Sequence, residues 1–102
     1  MEVFIINFYE ETFNNSDEPT RYTLIDAFKT YDGAIEYVKN KFIPSIIQET
    51  KDFYPDEEID VRILYEQDGS WTLGVFDEEY NEQIEVMTID INKVILNDWE
   101  EN

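Results

Sequence analysis

Most side chains here that could do chemistry are carboxylates. The 102 residues hold 25 Asp and Glu against seven Lys and Arg, with no His and no Cys, for a formal net charge of −18. Two stretches concentrate them. "FYPDEEID" (53–60) carries Asp56, Glu57, Glu58 and Asp60, with Asp52 just before it. "FDEEYNEQIE" (76–85) opens with Asp77, Glu78, Glu79 and, after a short gap, Glu82. Carboxylates this dense repel one another, so the sequence poses three uses for them: catalysis, metal binding, or a surface for a cationic partner.

Catalysis is the weakest use. With no imidazole or thiol, Ser16, Ser45 and Ser70 have no base to activate them. A pair of carboxylates can cleave a glycosidic bond. With 25 acids, however, some pair will always stand at a suitable spacing, so the pattern selects nothing. Gly33, Gly69 and Gly74 lie in separate contexts and form no phosphate cradle. The sequence reads as a non-enzymatic protein without a cofactor.

Metal binding fails on spacing. Asp77, Glu79 and Asn81 match the first three ligand positions of a calcium loop. The sixth position requires Gly and holds Glu82, and the twelfth requires Glu and holds Thr88. The series from Asp56 fails in the same way, with Val61 at the glycine position. Zero cysteines also exclude thiolate sites and disulfides. A dedicated divalent-cation site remains only a second alternative.

The partner surface draws on how the charge is distributed. Residues 1–51 hold nine acids and five bases, net −4, while residues 52–102 hold sixteen acids and two bases, Arg62 and Lys93, net −14. Solubility in a small domain needs a net charge of magnitude ~2–8. The excess, gathered in one half, repels nucleic acids and anionic membranes and attracts a basic surface. Exposed acids two apart on a strand stand ~6.6 Å apart. That is close to the separation of successive phosphates once their winding path is counted. Asp56, Glu58 and Asp60 have this spacing, as do Asp77 and Glu79, and Glu66 and Asp68 are expected to extend the array. Phe53, Tyr54, Phe76 and Tyr80 flank the clusters as anchors if exposed, or as core if not.

These residues need a frame. A composition of 42% hydrophobic and 16% aromatic residues is enough for a core, and the length is that of one domain, 1–102. "EVFIINFYE" is nearly continuous in apolar residues, as in a strand covered on both faces. "FNNSDEPT" is a loop, and "RYTLIDAFK" a second, antiparallel strand. In "TYDGAIEYVKNKFIPSIIQETK", Ala34, Ile35, Val38, Phe42 and Ile46 mark one face of a helix capped by Thr30 or Asp32. Pro44 is expected to break it near Ile43, with helix partly resumed through Gln48. "IDVRILYEQDGSWTLGVF" alternates with period two. A three-residue loop, Gln67-Asp68-Gly69, would pair 65 with 71, 63 with 73 and 61 with 75. "EQIEVMTIDI" is the last strand, and Val94, Ile95, Leu96 and Trp99 bring the tail back onto the body. The order β-β-α-β-β-β predicts an α+β domain, an antiparallel sheet of about five strands with a helix packed on one face. There is no leader-like opening and no apolar run of membrane-spanning length. The expected setting is therefore the cytoplasm of a bacterial host cell, as monomer or dimer.

A chain of about a hundred residues, strongly acidic, lacking Cys and His and built on sheet and helix, resembles the phage-encoded inhibitors that mimic DNA. These include anti-CRISPR and anti-restriction proteins and inhibitors of uracil-DNA glycosylase. The opening "VFIINFYEE…YTLIDAFKTYDGAIEYVKNKF" is also similar to small phage and Gram-positive proteins in which two strands lead to a helix start, here Thr30, Asp32, Ala34 and Tyr37. The first resemblance implies a partner that is a basic nucleic-acid-binding protein, such as a CRISPR nuclease or restriction enzyme. The residues expected to meet it are Asp56, Glu57, Glu58, Asp60, Asp77, Glu78, Glu79 and Glu82. The alternative is a small structural or adaptor protein whose charge is only solubilising.

Overall fold

A computed structural model of the chain describes residues 1–12 and 21–96. Five strands form one antiparallel sheet in the order β2-β1-β5-β4-β3, and a helical segment packs on one of its faces. The strands are β1 (Glu2–Thr12), β2 (Arg21–Phe28), β3 (Ile59–Gln67), β4 (Ser70–Asp77) and β5 (Glu82–Ile95). This is the α+β architecture and element order that the periodicities predict. The 13–20 loop and Trp99 lie outside the described residues.

The core follows from period two. On β1, Ile6 and Phe8 point to the helical side, joined on β4 by Trp71, Leu73 and Val75 and on β5 by Ile84, Met87 and Ile89. Each is essentially removed from water, and burying a side chain of this size contributes ~1.5–3 kcal/mol. The continuous apolar run of β1 does not mean cover on both faces. Only one face meets the helix, and Val3 and Ile5 on the other are half-buried. β5 continues four residues past the predicted end at Ile91, because Asn92, Lys93, Val94 and Ile95 pair with Ile5, Phe4, Val3 and Glu2.

The helix is one rod in three parts: α1 (Tyr31–Tyr37), a π turn (Val38–Phe42) and α2 (Ile43–Phe53). Thr30 caps it, its Oγ1 accepting from the Gly33 N–H at 3.0 Å. No break occurs at Pro44. Proline in an α-helix collides with the carbonyl four residues back. Here the backbone widens just before it, the Ile43 N–H reaching Val38 O five residues earlier. The inserted residue shows in the packing, since the fully buried series runs Ala34, Val38, then Ile43 instead of Phe42. Helix then continues to Phe53, past the predicted end at Gln48, and stops where Tyr54 leaves helical dihedrals before Pro55.

The β3–β4 hairpin departs from the predicted register. Val61 pairs with Val75 and Ile63 with Leu73 as expected, but Tyr65 pairs with Thr72, Glu66 with Trp71 and Gln67 with Ser70. The connection is the two-residue Asp68-Gly69 turn, with Gly69 at φ 76°. A bulge at Leu64 reconciles this tight turn with an apolar face on the core side. Tyr65 and Glu66 thereby exchange faces. Glu66 lies on the helical side, where it accepts the Trp71 indole N–H at 2.8 Å, and so does not extend an array of free acids.

Candidate functional site

Strand register assembles the site. Ile59, at the start of β3, pairs with Asp77, at the end of β4, and Asp77 pairs with Glu82, at the start of β5. The Glu78 N–H closes the junction by donating to Glu58 O at 2.9 Å. The two acidic stretches, some twenty residues apart in sequence, therefore converge on one end of the sheet. Adjacent strands there stand ~4.8 Å apart. The C-terminus of α2, the negative pole of the helix dipole, leads directly into the same end. Residues 52–60 and 77–82 carry nine carboxylates and no base.

The predicted ladder along a strand is replaced by a cluster of turns. Asp56, Glu57 and Glu58 lie in the turn between α2 and β3, held by the Glu57 N–H donating to Tyr54 O at 3.3 Å. Only Asp60 stands on the strand. Pro55 and the non-helical Tyr54 make the reason local, since the chain must reverse direction before it can pair with β4. Asp77 is buried, and its Oδ1 accepts the Glu79 N–H at 3.1 Å. It shapes the four-residue loop 78–81, in which Asn81 takes a left-handed conformation at φ 51°. Asp77 is thus a builder of the turn and not a contact.

One cation sits inside the cluster. Arg62 Nε is 2.5 Å from Asp60 Oδ2 and its Nη2 is 3.1 Å from Glu78 Oε1, while its guanidinium carbon lies 4.3 Å above the Phe76 ring. Its bond to Asp60, and then that to Glu78, raise the guanidinium's pKa above its ordinary value, so it stays charged at every pH the fold experiences. Of the eight predicted contact residues, Asp60 and Glu78 share the single positive charge of Arg62, Asp77 is inward, and Asp56, Glu57, Glu58, Glu79 and Glu82 are exposed.

Two of the four flanking aromatics face solvent. Phe53 is 76% exposed and Tyr80 70%. Tyr54 packs on the core and meets Phe53 edge-on at 5.0 Å, and Phe76 is half-buried beneath Arg62. Among the described residues no group of three or more Asp and Glu side chains is gathered to hold a metal ion. No helix among them is long and apolar enough to cross a membrane. Comparison with known protein families, curated proteins and solved structures finds no match.

The role of Arg62 escaped the sequence reading, although it is the one base between residues 52 and 82. Its i, i+2 relation to Asp60 on a strand was the available signal. Its bond to Glu78 required the hairpin register.

Proposed function

We propose that this chain is a non-enzymatic inhibitor that presents its acidic end to the nucleic-acid-binding site of a basic protein in the bacterial host cell. A CRISPR nuclease or a restriction enzyme is the leading class of target. The observation that carries this reading is the convergence of both acidic stretches on one sheet end, with Arg62 the only base between residues 52 and 82. A groove built to bind phosphates by displacing counterions binds a comparable field of carboxylates for the same electrostatic reason. Phe53 and Tyr80 add apolar anchors inside the charged rim.

The adaptor reading draws support from one feature, three successive half-exposed apolar residues on β3, Ile63, Leu64 and Tyr65. Salt separates the two. Exposed charges are screened within ~8 Å at physiological ionic strength and closer above it. Acid-driven binding is therefore lost by ~0.5 M salt, whereas apolar binding survives.

The test is displacement. Bacterial lysate proteins are retained on DNA-cellulose at low salt and washed with this protein. The expected result is release of a discrete set of DNA-binding proteins, and no release by a variant with Asp56, Glu57, Glu58, Glu79 and Glu82 changed to Ser. Equal release by the variant, or none by the native chain, refutes the proposal.

A further inference from the structure

We infer that the outer edge of β3 is a separate docking site, one that takes up an extended segment of a protein partner by strand addition, the segment being apolar at its centre and flanked by Lys or Arg. β3 is last in the sheet order, so among the described residues one rim of its backbone amides and carbonyls has no strand beside it. From Arg62 to Gln67 every residue is exposed, and Ile63, Leu64 and Tyr65 show 50%, 49% and 51% of their surface.

Protein edges are normally guarded by Lys, Pro or inward charge. β3 carries the charged Arg62 and the inward Glu66, but Ile63, Leu64 and Tyr65 between them carry no charge. The bulge between Ile63 and Tyr65 gives some protection and lays Leu64 against the sheet. A Cβ on Gly74 would come within 2.8 Å of Leu64 Cδ1 and 2.7 Å of Phe76 Cε2, so these side chains close over the glycine. Leu64, Phe76 and the neighbouring Tyr65 make one apolar strip beside open backbone.

Charge chooses the occupant. The strip lies between Asp56, Glu57 and Glu58 before the strand and Asp68 after it, and Arg62 beside it is already engaged by Asp60 and Glu78. An incoming segment with cations at both ends is matched at both ends. A second copy of β3 would bring its own carboxylates to the same places in either direction, which opposes edge-to-edge dimers. The other edge strand, β2, carries one acid, Asp26, against Arg21 and is followed by Lys29, so a cationic strand prefers β3. Main-chain pairing supplies affinity in this mode, and the side chains supply selectivity.

The inference stands apart from the acidic-end proposal, and one experiment tells them apart. The probe is a nine-residue peptide, the length of β3, with alternating Val and Thr between pairs of Lys. Amide exchange is followed by NMR in the full chain. The expected result is at least tenfold slower exchange of outward-facing amides between Arg62 and Gln67. An N-methylated peptide of the same sequence should lose that protection, as should the Ile63→Lys/Tyr65→Lys variant. If that variant fails to fold, the N-methylated peptide decides alone. Equal binding by it, protection confined to residues 56–58 and 78–82, or β3 protection that grows with concentration in the free protein, overturns the inference. A Glu79→Ser/Glu82→Ser variant, which spares the acids flanking β3, should keep β3 protection whether or not the acidic-end proposal holds.

Discussion

Replacing Arg62 with Gln separates stability from binding, because the two should move in opposite directions. The side chain bonds Asp60 at 2.5 Å and Glu78 at 3.1 Å and covers the Phe76 ring. Glutamine keeps the stem and loses the charge, taking the net charge from −18 to −19. Asp60 and Glu78, which share that one charge, lose their cation together, and the acidic end gains one unit of net negative charge. A phosphate contact on duplex DNA contributes ~0.9 to the slope of log affinity against log salt. A protein surface has a thinner counterion atmosphere, so ~0.9 per charge is a ceiling, and the one net charge uncovered steepens the slope by at most ~0.9. Between 50 and 200 mM salt that amounts to at most about a three- to fourfold larger change in affinity. The assay is competition with a labelled DNA duplex for a target recovered by displacement, alongside a thermal melt. Tm should fall while low-salt binding tightens. Because the guanidinium stays charged at any workable pH, substitution and not titration is the way to remove it. A folded variant that binds more weakly at low salt would show that the acidic end does not face the cationic groove.

Two other perturbations probe the frame and the anchors. Gly69→Ala should cost about 1–3 kcal/mol in urea denaturation, since φ there is 76° and an added Cβ would lie 2.5 Å from Tyr31 Oη; unchanged stability would contradict the turn described. Phe53→Ser with Tyr80→Ser should weaken target binding at every salt concentration by a similar factor, leaving the salt slope unchanged; a changed slope would mean the rings act through the charges.

Period and composition carry much of this molecule. The alternation of 61, 63 and 73, 75 was enough to pair the first part of β3 with β4, though not 65 with 71, and the Ala34–Val38 spacing placed the helix. What escaped were local rearrangements that preserve such patterns by other means. The Asp68-Gly69 turn appeared incompatible with the apolar alternation, yet one bulged residue, Leu64, satisfied both. Pro44 signalled a break, yet one extra residue in a π turn let the helix pass. Each insertion absorbs one residue and shifts the faces beyond it, Tyr65 and Glu66 on β3 and Phe42 and Ile43 on the helix, which a strict periodic pattern does not anticipate. At the candidate site the acids themselves were legible and their convergence was not, since Glu58 meets Glu78 only through the β3–β4 register. That Asp77 faces inward follows from its bond to the Glu79 amide, a turn feature that its neighbours Glu78 and Glu79 conceal in a run of like charges.

The most direct measurement of the central claim is the salt dependence of target binding by the native chain and by the variant with serine at positions 56, 57, 58, 79 and 82. Five contacts at a ceiling of ~0.9 each give the native chain a log–log slope of about −3 to −4.5, and the variant, with its fold intact, should be nearly flat. A shallow native slope, or the same slope in both proteins, would contradict the account.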